Sequence, residues 1–143
     1  MTATILIVDD SRMVRTLVRG ALEAGGFDVV EAIHGAHALT QLDRQTPDLM
    51  ITDVNMPEMD GLTLVERVRP QPRFSRLPIL VLTTETAEDL KQRGRQAGAN
   101  GWMVKPFSPT QLRETVALVL ERARSGALFA KKSGSGAGSD GRR

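Results

Sequence analysis

Two stretches of this chain, Ile5-Leu6-Ile7-Val8 and Ile79-Leu80-Val81-Leu82, run apolar without alternation. A strand with one face in water alternates apolar and polar residues, whereas a strand covered on both faces does not. Such runs belong in a parallel sheet with helices packed on each side. Three further short runs, at residues 29–32, 49–52 and 101–104, join those at 4–8 and 79–82 to predict five strands.

The intervening segments carry helix signals. Ser11 is placed to cap a helix over residues 12–24, and Gly25-Gly26 to end it. Val14, Leu17, Val18, Ala21 and Leu22 recur at spacings of three and four, giving that helix one apolar stripe. Shorter helices are predicted at 36–44 and 62–68, and another at 87–97, closed by Gly98. The last runs over 109–124, with Ser108 at the cap, Pro109 at the first helical position and Gln111 completing a capping box. Strict strand–helix alternation implies right-handed crossovers and a doubly wound α/β sheet.

A chain of 143 residues is long enough for one such domain, placed here at 1–124. The formal charge of +2 raises the question of nucleic acid. Residues 1–124, however, carry a net charge of −1, and the basic excess lies in Lys131, Lys132, Arg142 and Arg143. Residues 125–143 therefore read as a basic, Gly/Ser-rich tail, disordered over 133–140, rather than a nucleic-acid site. They are too few for a DNA-binding output domain. There is no cysteine, which excludes disulfides and thiolate chemistry and fits a cytoplasmic protein. No apolar run approaches the ~20 residues that span a bilayer, and residues 1–5 do not resemble a signal peptide.

In open α/β sheets, sites lie beyond the carboxyl ends of the strands. The first predicted strand ends in Asp9-Asp10, the third in Asp53, the fourth in Thr83-Thr84 and the fifth in Lys105-Pro106-Phe107. The second ends in Ala32-Ile33 and offers nothing comparable. Four strands thus deliver carboxylates, a hydroxyl and an ammonium to one edge. Clustered carboxylates repel one another unless a cation sits among them. Oxygen donors of this kind suit Mg²⁺, which keeps several waters and bridges to phosphate. A carboxylate is a competent nucleophile toward phosphorus, and a metal, an ammonium and a hydroxyl together stabilise the charge that develops on the phosphoryl oxygens.

The motifs Val8-Asp9-Asp10-Ser11, Asp53-Val54-Asn55-Met56-Pro57-Glu58-Met59-Asp60-Gly61, Thr83 and Lys105-Pro106-Phe107 resemble the receiver domain of two-component response regulators, and within it the stand-alone chemotaxis regulators. The likeness runs from about residue 4 to 124. It implies a flavodoxin-like five-stranded sheet in the order 2-1-3-4-5. It also implies Asp53 as phosphoacceptor, and a Mg²⁺ site formed by Asp9, Asp10, Asp53 and the Asn55 carbonyl. Asp10 would be the direct acidic ligand, with Asp9 acting largely through water. Thr83 and Lys105 would meet the phosphoryl group, with the Lys105-Pro106 bond cis. Trp102, three before Lys105, occupies the place of the family's switch aromatic, usually Tyr or Phe. Asn55 and Glu85 would tune the lifetime of the phosphoryl group. The implied partners are a sensor histidine kinase as donor, a target on the face of helix four, strand five and helix five, and a phosphatase. In this chain that face would include Trp102, Lys91, Arg95 and Arg113. The molecule would be a monomeric signalling switch whose only chemistry is its own phosphorylation and dephosphorylation.

Other readings are weaker. Haloacid dehalogenase phosphatases place an aspartate nucleophile after their first strand, but need a second aspartate two residues on, and here Asp10 follows Asp9 at once and Ser11 holds the next position. A receiver-like interaction module would not need Asp53, Thr83 and Lys105 together. His34 and His37 bring no further ligand pattern and read as surface residues, and Met56 and Met59 as loop packing.

Overall fold

The computed structural model describes residues 2–84 and 88–126. Its elements alternate as expected: β1 (Thr4–Val8), α1 (Arg12–Ala24), β2 (Asp28–Ala32), α2 (Gly35–Arg44), β3 (Leu49–Asp53), α3 (Gly61–Val68), a 3-10 turn at Pro72–Phe74, β4 (Ile79–Thr83), α4 (Glu88–Ala97), β5 (Gly101–Val104) and α5 (Pro109–Ser125). The five strands form one parallel sheet in the order β2-β1-β3-β4-β5. The order reverses beside β1, so the carboxyl ends of β1 and β3 border the crevice where such sheets place their sites.

Why β1, β3 and β4 lack alternation is visible in the packing. Ile5, Ile7, Ile51, Leu80 and Leu82 bury one face of the sheet against Val18 and Leu22 of α1 and Leu112 and Val116 of α5. Leu6, Val8, Met50 and Ile79 bury the other face against Ala38 and Leu42 of α2 and Leu64, Val65 and Val68 of α3. Val54, Leu62 and Val81 form a smaller cluster, with Leu90 of α4 and Trp102 of β5 packed on it.

The predicted caps are in place. The Ser11 hydroxyl accepts from the Val14 amide, and Ser108 and Gln111 form the reciprocal capping box at α5. His34 and His37 differ from expectation. Both are half-buried, and both act through Nδ1: His34 caps α2 by accepting from the His37 amide at 3.0 Å, and His37 accepts from the Ile33 amide at 3.1 Å. The sequence hid this because histidine is an uncommon N-cap. The tail beyond Gly126, and Glu85, lie outside the described residues.

At the sheet end opposite the carboxyl edge, Arg69 ties the α3–β4 and α4–β5 connections together. Its guanidinium donates to the carbonyls of Phe74 at 2.9 Å, Leu77 at 2.8 Å and Gly98 at 2.7 Å, and to Asn100 Oδ1. Asn100 Oδ1 in turn accepts from the Ile79 amide at 2.9 Å, where β4 begins. Burial holds the Arg69 guanidinium below its ordinary pKa. Arg69→Leu leaves these buried carbonyls without a donor and is expected to cost about 2–3 kcal/mol of unfolding free energy, read as a lowered midpoint in urea at unchanged slope.

Candidate functional site

The site is assembled from strand ends in fixed register. Thr52 and Val8 are paired across β3 and β1, so Asp9 and Asp53 leave adjacent strands one step later, side by side. Asp53 pairs with Leu82 across β4, and Thr83 with Val104 across β5. The Lys105 amide donates to the Thr83 carbonyl at 2.7 Å, which extends this ladder by one residue and brings the lysine to the same edge. The Lys105-Pro106 bond is cis.

Lys105 Nζ lies 3.3 Å from Asp9 Oδ2 and 3.2 Å from Asp53 Oδ1. Oxygen atoms of Asp9, Asp10 and Asp53 lie within 4.8 Å of one another. Asp9 and Asp53 are buried, at 2% and 7% exposure, whereas Asp10 is exposed. Thr83 is fully buried at the end of β4, and Asn55 is exposed in the turn after β3. The structure thus brings Asp9, Asp10, Asp53 and Lys105 together, with Thr83 on the neighbouring strand.

Close packing fixes the phosphoacceptor candidate. A Cβ on Gly61 would lie 2.0 Å from the Asp53 carbonyl oxygen, so the first residue of α3 must be glycine. The Gly61 amide donates to the Val54 carbonyl at 2.8 Å, and the Thr52 hydroxyl to the Asp53 carbonyl at 3.0 Å. Asp60 caps α3 by accepting from the Thr63 amide and meets Arg93 of α4. Met56 is buried and Met59 packs where a Cβ on Gly35 would stand, as loop packing requires.

Residues 5–117 match the model of the response regulator receiver domain. The chain belongs to this family. It is similar to the chemotaxis protein CheY1 of Helicobacter pylori, with 42% identity over 118 residues, 81% of this chain and 95% of that protein. It is also 37% identical, over 86% of its length, to half of the transcriptional regulatory protein PhoP of Bacillus subtilis. Among solved structures, the chemotaxis protein CheY4 of Vibrio cholerae superposes with a TM-score of 0.81 at 43% identity, covering 83% of this chain and 99% of that one.

Receiver domains hold Mg²⁺ at an acidic cluster, and the donor set here fits that ion. Three carboxylates in one small volume supply hard oxygen ligands, and the exposed Asp10 leaves one side open to water and phosphate. Without a cation, the cluster is electrostatically costly. Burial and then the Asp9 charge push the Asp53 carboxyl above its ordinary pKa, and Lys105 only partly offsets them.

Trp102 packs on α4 where Gly94 leaves room, its Cζ3 2.9 Å from the position a Cβ would take. Its Nε1 is buried, with no hydrogen-bond partner among the described residues. Trp102 borders a cavity between α4 and β5 with Lys91 and Arg95 at its rim. Arg113 departs from expectation: its side chain packs against Gly25 at the end of α1, away from Lys91 and Arg95. The resemblance implied a face shared with α4, but the packing of α5 on α1 decides which neighbour Arg113 meets.

The raised Asp53 pKa has a thermodynamic consequence. Below the ordinary carboxylate range Asp53 is protonated in folded and unfolded chains alike and costs nothing. As pH rises from that range through the raised folded value, ionisation destabilises the fold, and the cost is complete once the pH lies above that value. Asp53→Asn in metal-free buffer at pH 7 should therefore raise the melting temperature, by about 2–5 °C. Scanning calorimetry should show the gain shrinking as the pH is lowered through the carboxylate range. A melting temperature at or below that of the parent protein would contradict this electrostatic reading.

Proposed function

We propose that this receiver accepts a phosphoryl group on Asp53 from a histidine kinase and changes its target affinity in response. The observation that carries the proposal is the seating of Lys105 between Asp9 and Asp53 within a three-carboxylate cluster. An Asp53 carboxylate oxygen attacks phosphorus as the P–N bond of a phosphohistidine breaks, and the electron pair of that bond stays with the imidazole. Lys105, already within reach of Asp53, then pairs with phosphoryl charge, and Thr83 supplies a hydroxyl one strand away. Mg²⁺ bound by Asp10, Asp53 and the Asn55 carbonyl, with Asp9 acting through water, would neutralise charge on the phosphoryl oxygens. Asn55 and Glu85 are assigned to setting how long the acyl phosphate survives.

The donor has a suitable seat beside the site. Val14, Leu17, Ala21, Pro106, Phe107 and Pro109 line a groove that ends at Lys105, and Leu17 and nearby Met13 are 66% and 72% exposed. The face of α4, β5 and α5, with Lys91, Arg95 and Trp102, is assigned to the downstream target. Chemotaxis is favoured as the output because the chain is 42% identical to the Helicobacter chemotaxis protein and 43% identical to the Vibrio one, against 37% for the transcriptional regulator. These assignments describe a monomeric cytoplasmic switch.

Acetyl phosphate with Mg²⁺ should add one phosphoryl group, seen as a single mass increment that is stable to acid and lost in base. Asp53→Asn should show none. Labelling that persists in this variant would move the nucleophile to another residue.

The switch is tested through Trp102, the one tryptophan in a chain without tyrosine. Phosphorylation should draw Thr83 toward the phosphoryl group and settle Trp102 more deeply against Gly94. Two states within a few kcal/mol suffice for this shift. A blue-shifted emission and weaker iodide quenching are expected on phosphorylation. Spectra that stay constant in protein shown by mass to be phosphorylated would remove Trp102 from the switch.

A further inference from the structure

We infer that Arg15, anchored by Glu31, is a positioning residue for the metal-binding turn, holding the Asp9-Asp10 peptide so that Asp10 projects into the cluster. The inference rests on the receiver reading of the site and adds to it a residue outside the carboxylate–lysine constellation.

Every hydrogen-bonding group of Asp9 is occupied. Its amide donates to the Ala32 carbonyl at 3.2 Å. Its Oδ1 accepts from the Ser11 amide at 2.9 Å, and its Oδ2 from Lys105. The remaining acceptor, the Asp9 carbonyl, takes a hydrogen bond from Arg15 Nη1 at 2.8 Å. That carbonyl belongs to the peptide plane joining Asp9 to Asp10. The Ser11 bond closes a turn over this plane from the carboxylate side, and among the described residues Arg15 is the donor that holds its carbonyl.

Arg15 is itself held. Its Nε donates to Glu31 Oε1 at 2.8 Å, and its side chain is only 11% exposed. The two bonds leave from different nitrogens of one rigid planar fork, so Glu31 on β2 fixes the orientation in which Nη1 meets the Asp9 carbonyl. Glu31 is shared with Arg19, which also bonds Glu23 and the Val29 carbonyl; the described hydrogen bonds of Arg19 do not reach Asp9. Burial opposes a charge on Glu31, but hydrogen bonds from Arg19 and Arg15 outweigh it and hold the carboxyl below its usual range. The anchor is therefore ionised at neutral pH. The chain of contacts runs from edge strand β2, through α1, to the turn after β1.

Groups that orient metal ligands without touching the metal set affinity by roughly 10–100-fold. Arg15→Ala should weaken Mg²⁺ binding about tenfold by isothermal titration calorimetry at pH 7, well below its melting temperature. Arg15→Lys keeps the charge and the helix but not the fork, so it should weaken binding too, and it serves if the alanine variant does not fold. Glu31→Gln should weaken binding by a smaller factor. Glu23→Gln, which loosens Arg19 on the same helix without touching Asp9, should leave the Mg²⁺ dissociation constant unchanged. A parental dissociation constant in a folded Arg15 variant would overturn the inference, as would an equal loss in Glu23→Gln. If the parent protein itself shows no Mg²⁺ binding, the receiver chemistry assigned to the site fails first and the role of Arg15 falls with it.

Discussion

The structure depends on one electrostatic conflict, three carboxylates gathered at the carboxyl edge of a buried sheet. Two of them, Asp9 and Asp53, are largely removed from water, and a single ammonium, Lys105, stands between them. At such short range in a shielded setting, the repulsion is worth far more than it would be between exposed side chains. One lysine does not offset burial and this repulsion together, so Asp53 remains above its ordinary pKa. A site left in this condition stores an affinity for added cations and for a change in its own charge.

The rest of the fold holds that conflict in place. Continuous burial on both faces pins β1, β3 and β4 in register, so their last residues emerge together. Gly61 lets α3 begin against the Asp53 carbonyl, and Thr52 occupies the same carbonyl from the strand itself. Arg69 performs a matching task at the far end, where its guanidinium gathers the carbonyls of loops that would otherwise be buried without donors. Charged groups at the two ends of the sheet thus have opposite roles. Arg69 is satisfied by backbone oxygen and is structural, whereas the carboxylates are crowded and available for chemistry.

Trp102 shows how a local substitution is accommodated. An indole is larger than the Tyr or Phe usual at this place in receivers, and α4 carries Gly94 opposite it. The ring fills the room that a side chain on Gly94 would have occupied, beside the basic rim of Lys91 and Arg95. The same residue touches α4 and shares the β4–β5 ladder with Thr83.

The sequence alone determined the alternation of strands and helices, the unbroken apolar runs, the caps at Ser11 and Ser108, and the set of residues at the strand ends. Each of these is local: periodicity, capping and strand termination are read within a window of a few residues. That Asp9, Asp53 and Lys105 would meet followed from the parallel topology, because parallel strands deliver their carboxyl ends to one edge. Tertiary structure decided the rest. It turned His34 and His37 into acceptors for backbone amides, set Arg113 against α1, and required glycine at 61 and 94 for reasons lying across the chain. It also connected Arg15 to the Asp9 carbonyl and to Glu31, sixteen residues away. Such contacts depend on where side chains of different elements converge, a distance that no local pattern encodes.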